Sequence, residues 1–148
     1  MDSRLVKSTF LLALAATPVP ALGQSASPAL PAPIAAAFRQ AYPAATILHA
    51  APETRDGHVV YEIESKDGTM WRDLLYSLSG EIIEIEEILP VDSLPAPVRT
   101  AVGKDAPRAT IVGVERVTTG TAIAYEVRVR RNGRTRSLTY DAEGGRQP

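Results

Sequence analysis

The feature that most constrains the fold of this sequence is a similarity between its two halves at a constant offset of 64 positions. The stretch LPAPIAAAF, which begins at Leu30, corresponds to LPAPVRTAV, which begins at Leu94. Further matches are Leu74/Leu138 and Tyr76/Tyr140 at apolar positions, Gly80/Gly144 at a turn, and Arg72/Arg136. Two copies of one structural unit are expected to share their turn residues, their helix-start prolines and their core positions. The pattern therefore predicts two copies of one supersecondary unit.

Each unit is expected to begin with a helix and continue as strands. Prolines are tolerated in the first turn of a helix and not later, so Leu30-Pro31-Ala32-Pro33 predicts a helix start. The dipeptides Asp67-Gly68 and Asn132-Gly133 are strong hairpin signals, because both turn residues need positive φ. The two dipeptides are separated by 65 positions, one more than the offset of 64. We therefore expect one of these hairpins to contain a bulge or a three-residue loop.

The first unit continues into a fourth strand, Glu81 to Leu89, for which the second unit has no room. The prediction is an α+β fold of two tandem helix-plus-antiparallel-sheet repeats, α-β-β-β-β and then α-β-β-β, with the helices on one face of the sheet. The repeats are placed at residues 34–90 and 91–148. We expect them to form one cooperative body, because about 60 residues bury only a marginal core.

The N-terminal residues predict export. Arg4 and Lys7 precede an apolar stretch, and small residues follow at Ala21 and Gly23, which is the order of a secretory signal peptide. We therefore assign residues 1–23 to a cleaved signal peptide and residues 24–33 to a flexible lead-in. The apolar stretch is far shorter than the roughly 20 residues that a membrane span needs. The expected location is periplasmic or secreted.

Several classes of chemistry find no support in the sequence. Cysteine is absent, which excludes disulfides, thiolate metal sites and cysteine nucleophiles. His49 and His58 lack the spacing of a metal pair, and no serine lies in a Gly-x-Ser-x-Gly motif. The strand glutamates Glu84 and Glu86 share one face but lack the order of a calcium loop. We therefore expect no catalytic residue, no metal site and no cofactor.

Charge is divided unequally between the halves. Residues 24–90 contain 4 basic and 10 acidic residues, a net charge of −6, whereas residues 91–148 contain 10 basic and 6 acidic residues, a net charge of +4. The hairpin with Arg130, Arg131 and Arg134 contributes most of this excess. Two interpretations stay open, a solvated strand face and a docking patch for an acidic partner, which includes the acidic half of a second copy. The sequence pI near 6.1 and the lack of interleaved aromatics argue against nucleic acid.

Met70 and Trp71 follow the Asp67-Gly68 turn, and Trp71 is the sole tryptophan. The ring either folds back over the hydrophobic core or lies exposed near the hairpin tip. An exposed tryptophan is the residue type that dominates binding hot spots. The candidate partner-binding residues are therefore Met70, Trp71, Arg130, Arg131 and Arg134.

The order LPAPI, YPAATI, VYEI and LLYSLSGEI resembles the PepSY-like family, small secreted domains often found in tandem and related in fold to the β-lactamase-inhibitor protein. The resemblance covers nearly all of residues 30–144. It implies a non-catalytic binding or inhibitory module, directed in some relatives at peptidases. The chain departs from the β-lactamase-inhibitor protein in lacking cysteine, so inhibition of β-lactamase does not follow.

Two functions are weighed on this basis. The first is a non-catalytic periplasmic or secreted binding module, an inhibitor or regulator of a secreted or envelope protein such as a peptidase. The alternative is a small-ligand carrier or an enzyme with a pocket between helices and sheet. Polar groups inside the apolar helix stripes would favour the alternative, and the stripes Ile34-Ala37-Phe38 and Val98-Ala101-Val102 contain none.

Overall fold

The computed structural model describes residues 30–148, so the predicted signal peptide and most of the lead-in lie outside the described residues. Within these residues, two ten-residue helices and seven strands make up the fold. A short 3-10 turn, Val91–Ser93, precedes the second helix. In chain order the elements are α1 (Ala32–Ala41), β1 (Thr46–Arg55), β2 (His58–Asp67), β3 (Met70–Ser77), β4 (Ile82–Leu89), α2 (Ala96–Asp105), β5 (Thr110–Thr119), β6 (Ala122–Arg131) and β7 (Arg134–Asp141).

All seven strands form one antiparallel sheet in the order β1-β2-β3-β4-β5-β6-β7. The prediction of two helix-plus-sheet repeats is therefore wrong. Strand β4 pairs with β5 along its length, from Glu84 opposite Thr119 to Leu89 opposite Val114. The physical reason is that two separate sheets would each leave an unpaired inner edge, and pairing β4 with β5 satisfies both rows of backbone donors and acceptors.

The bounds of α1, β1, β2 and β3 recur 64 positions later in α2, β5, β6 and β7. Prolines lie at the start of both helices. Both helices end with a backbone N–H that donates to the carbonyl oxygen four residues earlier, from Tyr42 to Phe38 and from Ala106 to Val102. The local sequence signals thus fix the elements correctly, while the pairing of β4 with β5 joins them into one sheet.

The helices pack on the same face of the sheet, which we call the helix face. Ile34 and Phe38 of α1 are buried against a cluster from β1, β2 and β3. Val98 and Val102 of α2 are buried against a cluster from β5, β6 and β7. Both clusters include odd-numbered residues of β4, Ile85 in one and Leu89 in the other, and alternate residues of a strand share a face.

Both predicted hairpins close with two-residue loops. Asp67 pairs with Met70, and Arg131 pairs with Arg134, with no shift of register along either hairpin. The expected bulge or three-residue loop is therefore wrong for both of them. Gly68 takes positive φ in the first loop, whereas Asn132 and Gly133 take it in the second. The first turn begins at Gly68 and not at Asp67, which removes the apparent slip of one residue.

A partly buried ion pair network, centred on Glu87, joins the two halves on the helix face. Glu87 of β4 accepts hydrogen bonds from Arg72 of β3, at 2.9 Å, and from Nε of Arg116 of β5, at 3.0 Å. Burial alone would raise the pKa of Glu87, but the bonds from Arg116 and Arg72 lower it below its ordinary value. The carboxylate is therefore charged at neutral pH and holds cations from both halves.

Candidate functional site

The sheet face opposite the helices, which we call the open face, has no helix or other element packed on it within residues 30–148. Because side chains alternate along a strand, the pairing register fixes which residues it presents. Carboxylates dominate its centre: Glu62, Glu64, Asp73, Glu84, Glu86, Glu115 and Glu126. We call these seven residues the acidic cluster.

Three members of the acidic cluster lie side by side on adjacent strands. Glu64 of β2 pairs with Asp73 of β3, and Asp73 pairs with Glu86 of β4. Like charges directly opposite each other destabilise an antiparallel sheet. Burial and the carboxylates of Glu64 and Glu62 raise the pKa of Asp73 to about 7. Burial, followed by Glu84 and Glu115, raises the pKa of Glu86 to about 7.

The cations near the acidic cluster do not neutralise this row. Arg55 contacts Glu53 at 2.6 Å and Glu84 at 3.6 Å, and Arg128 contacts Glu115 at 2.8 Å. Burial still raises the pKa of Glu115, although Arg128 opposes the shift. Within residues 30–148, the row of three carboxylates itself forms no salt bridge. The centre of the open face is therefore a site where added positive charge would be stabilising.

Trp71 lies on the open face and does not fold back over the core. It is 43% exposed and pairs across the hairpin with Lys66, whose Nζ lies 4.8 Å from the ring centroid. Ile88, on neighbouring β4, is 42% exposed on the same face. An exposed aromatic ring and an exposed aliphatic side chain thus border the acidic cluster at the end of the sheet where the β2–β3 hairpin turns.

The five candidate partner-binding residues share one end of the sheet but not one surface. The β2–β3 and β6–β7 turns lie at the same end because strand directions alternate, and β4 and β5 lie between them. Trp71 and Arg130 are on the open face, whereas the other three, Met70, Arg131 and Arg134, are on the helix face. Met70 is half-buried and the three arginines are exposed. Their role in binding stays a prediction.

The sequence interpretation missed the acidic cluster as a unit. The alternations Glu62-x-Glu64 and Glu84-x-Glu86 are visible in the sequence and show that each pair shares a strand face. Asp73 gives no such signal. The pairing register places Asp73 between Glu64 and Glu86. The row of carboxylates is therefore visible only in the structure. In the part of the chain that the structure describes, no group of three or more His, Cys, Asp or Glu residues is arranged to hold a metal ion.

Solved structures similar in fold include several from Bacteroides. A candidate periplasmic protein from Bacteroides eggerthii has a TM-score of 0.67 and 14% identity over 80% of this chain and 86% of that one. A DUF2874 family protein from Bacteroides uniformis has a TM-score of 0.65 and 15% identity over 79% and 86%. A BLIP-like protein from Bacteroides fragilis has a TM-score of 0.61 and 19% identity over 78% and 81%.

These similarities establish that the chain has a BLIP-like fold, shared with DUF2874 family proteins. At such low identity they show the fold and not the activity. No protein-family model and no curated protein matches the sequence. Neither helix of residues 30–148 is long and apolar enough to cross a membrane.

Proposed function

We propose that this protein is a non-catalytic periplasmic binding module that docks a basic surface loop of a partner protein on its open face. The observation that carries the proposal is the row Glu64, Asp73 and Glu86, three carboxylates that are paired directly on adjacent strands and form no salt bridge within residues 30–148. Lysine or arginine side chains of a partner would relieve this repulsion. Trp71 beside the row would supply the apolar anchor that such an interface needs.

Three further findings support a periplasmic binding module. Apolar side chains, among them Phe38 of α1 and Val102 of α2, fill the space between the middle of each helix and the sheet. The secretory pattern of residues 1–23 and the similarity to a candidate periplasmic protein favour the periplasm. The PepSY-like sequence resemblance and the BLIP-like fold favour regulation or inhibition of a secreted or envelope protein, such as a peptidase.

The test is a comparison of baits that differ only on the open face. Residues 24–148, immobilised, would be exposed to a periplasmic extract in parallel with Trp71→Ala and with the double variant Glu64→Gln, Glu86→Gln. A retained protein would then be purified and its dissociation constant measured for each variant. We expect at least about 10-fold weaker binding for the double variant, which corresponds to 1.4 kcal/mol. Trp71→Ala should mainly speed dissociation.

Two controls keep the assignment specific. Glu143→Gln removes an exposed carboxylate far from the acidic cluster and should leave the affinity unchanged. Arg130→Glu with Arg134→Glu tests the hairpin predicted from the sequence, and slower association that recovers with salt would place the contact there. Equal affinity of wild type, Trp71→Ala and the Glu64/Glu86 double variant would refute docking on the open face.

A further inference from the structure

A groove of about 630 Å³ lies at the C-terminal end of α2, between that helix end and the β6–β7 hairpin. Its floor is apolar and includes the buried residues Ala106 and Val129. Its rim is cationic. The lining residues are Ala106, Ala109, Val129, Arg131, Asn132, Arg134, Thr135 and Arg136, and we call this surface the arginine groove.

The corresponding place in the first half is closed by the chain's own side chain. Tyr42 follows α1 at the position where Ala106 follows α2. The Tyr42 ring lies 5.6 Å from the ring of Phe38 and 5.1 Å from the guanidinium of Arg72. With alanine at position 106, the second half has no ring to place in the same space. The arginine groove therefore lies at the place that the Tyr42 ring occupies in the first half.

Arginines replace other residue types around this space. Arg131 and Arg134 pair directly across the β6–β7 hairpin and both lie on the helix face. Their counterparts in the first half are Asp67 and Met70. Within residues 30–148, neither arginine forms a salt bridge. Two like charges directly opposite each other are destabilising, and a carboxylate placed between them would remove that repulsion.

Arg136 is positioned to complete the site. It is the counterpart of Arg72, and its Nη2 donates to the backbone carbonyl oxygen of Asp105 at 2.9 Å. This bond holds the Arg136 guanidinium at the end of α2, beside the apolar floor. In the first half, Arg72 stacks near the Tyr42 ring. An aromatic ring inserted in the groove could make the same cation–π contact with Arg136.

We propose that the arginine groove binds an acidic segment of a partner protein, which inserts an aromatic side chain over Ala106 and places flanking carboxylates against Arg131 and Arg134. The Tyr42 ring of the first half argues for the aromatic side chain, and the unpaired arginines argue for the carboxylates. The groove lies on the helix face, opposite the acidic cluster. The proposal therefore stands independently of the function proposed above.

The probe is a fluorescein-labelled peptide of sequence Glu-Asp-Tyr-Asp-Glu, blocked at its other end, titrated with residues 24–148 and followed by fluorescence anisotropy. Saturable binding is expected. Ala106→Tyr should weaken it at least 10-fold, because the new ring would occupy the space over position 106 that the tyrosine of the peptide needs. Arg131→Gln with Arg134→Gln should weaken it at least 5-fold and flatten its salt dependence. Arg39→Gln, an exposed arginine of α1, is the matched control and should change nothing.

Peptide variants separate the two parts of the recognition. Replacement of tyrosine by alanine in the probe tests the aromatic part, and replacement of its acids by asparagine and glutamine tests the charge. Each change should cost at least 5-fold in affinity. Thermal melts establish that Ala106→Tyr is folded, and Ala106→Leu serves as a second filling variant if it is not.

Four outcomes would overturn the proposal: no saturable binding, equal binding to Ala106→Tyr, binding of the neutral peptide as tight as that of the acidic one, or displacement by acetate at equal concentration. Self-association of the wild type that Ala106→Tyr abolishes would assign the groove to a second copy instead.

Discussion

The helices of the two halves end with the same backbone hydrogen bond, but different side chains follow them. After α1 the chain places Tyr42 over the sheet, and after α2 it places Ala106. Behind Tyr42 the space is filled and the hairpin carries Asp67 and Met70. Behind Ala106 a groove lies open under the paired residues Arg131 and Arg134. The change from Tyr42 to Ala106, together with the two arginines of the hairpin, thus separates a closed helix end from a candidate binding site in a shared frame.

The shared frame depends on contacts that recur in both halves. Gly80 takes φ +88° and Gly144 takes φ +86°, and each lies against the backbone of the first helical turn in its half. A Cβ on either glycine would lie within 3 Å of a carbonyl oxygen, that of Pro33 or that of Pro97. The same approach therefore fixes each helix to its strands, whereas exposed side chains decide what each half can bind.

The largest expected effect comes from the residue that joins the halves. Glu87→Ala leaves Arg72 and Arg116 without their shared carboxylate, and loss of one partner of a largely buried pair costs about 3 kcal/mol. We expect the melting temperature to fall by roughly 10 °C or more. Calorimetry would measure it, with exposed Glu143→Ala as a control within about 0.5 kcal/mol of wild type. A fall no larger than that of the control would show that the halves hold together without this network.

The two glycines provide a test of the shared frame. Gly80→Ala and Gly144→Ala should each destabilise by about 2 kcal/mol, because strain from positive φ adds to the clash with the helix backbone. Gly57→Ala is a matched control, since Gly57 has φ +80° but no atom within 4 Å of the added Cβ, and it should cost about 1 kcal/mol. Denaturant unfolding would compare the three variants. Unequal costs at positions 80 and 144 would mean that the halves are held differently.

Exchange of the residues that follow the two helices tests whether the two helix ends are equivalent. Tyr42→Ala should cost about 2 kcal/mol, because a half-buried ring is removed from its contacts with Phe38 and Arg72. Ala106→Tyr should leave stability unchanged or raise it by about 0.5 kcal/mol, because the ring enters existing space. Urea unfolding measures both. A strong loss of stability in Ala106→Tyr would contradict the equivalence of the two helix ends.

The smallest expected effect is a pH dependence that arises on the acidic open face. The pKa values of Asp73 and Glu86 are about 7 in the folded protein, against ordinary values of 3.8 and 4.5. The folded state therefore keeps protons that the unfolded state has lost, so stability decreases as pH rises from about 4 to about 7. Glu87, whose pKa is lowered, acts in the opposite sense only below that window.

With allowance for solvent screening, the loss between pH 5 and pH 8 should be about 1 kcal/mol, or a melting temperature lower by about 4–8 °C. The double variant Asp73→Asn, Glu86→Gln should flatten this dependence. Equal slopes in wild type and variant would mean that other carboxylates with a raised pKa, such as Glu62 and Glu115, dominate the titration.

The sequence predicts elements well because their signals are local. Proline before each helix, the Asn132-Gly133 turn and alternation along the strands each act within a few residues. The single sheet could not be predicted, because the pairing of β4 with β5 depends on which edges meet in space. The prediction of a bulge or a three-residue loop is wrong because it treats Asp67 as a turn residue. Asp67 belongs to β2, and the turn begins at Gly68.

The candidate sites were predicted in part. The sequence shows that Glu84 and Glu86 share one strand face and that Arg131 and Arg134 flank a hairpin turn. The row of carboxylates needed the register of three strands, because Asp73 has no acidic neighbour two residues away on its own strand. The arginine groove could be found only by comparing the space around Tyr42 with the space around Ala106 in the structure. In the sequence, the difference between these two residues is one mismatch among many.

The strand order, which follows the chain throughout, bears on how the protein folds. Every neighbouring strand pair except β4–β5 is a hairpin, so its loop-closure entropy is small and its formation should be fast for a β-rich chain. The pairing of β5 with β4 must wait for the segment that contains α2. Until then β4 is a bare edge on which Ile83 and Ile85 alternate with Glu84 and Glu86. Those charges discourage pairing between different chains during the interval, which protects newly made protein from aggregation.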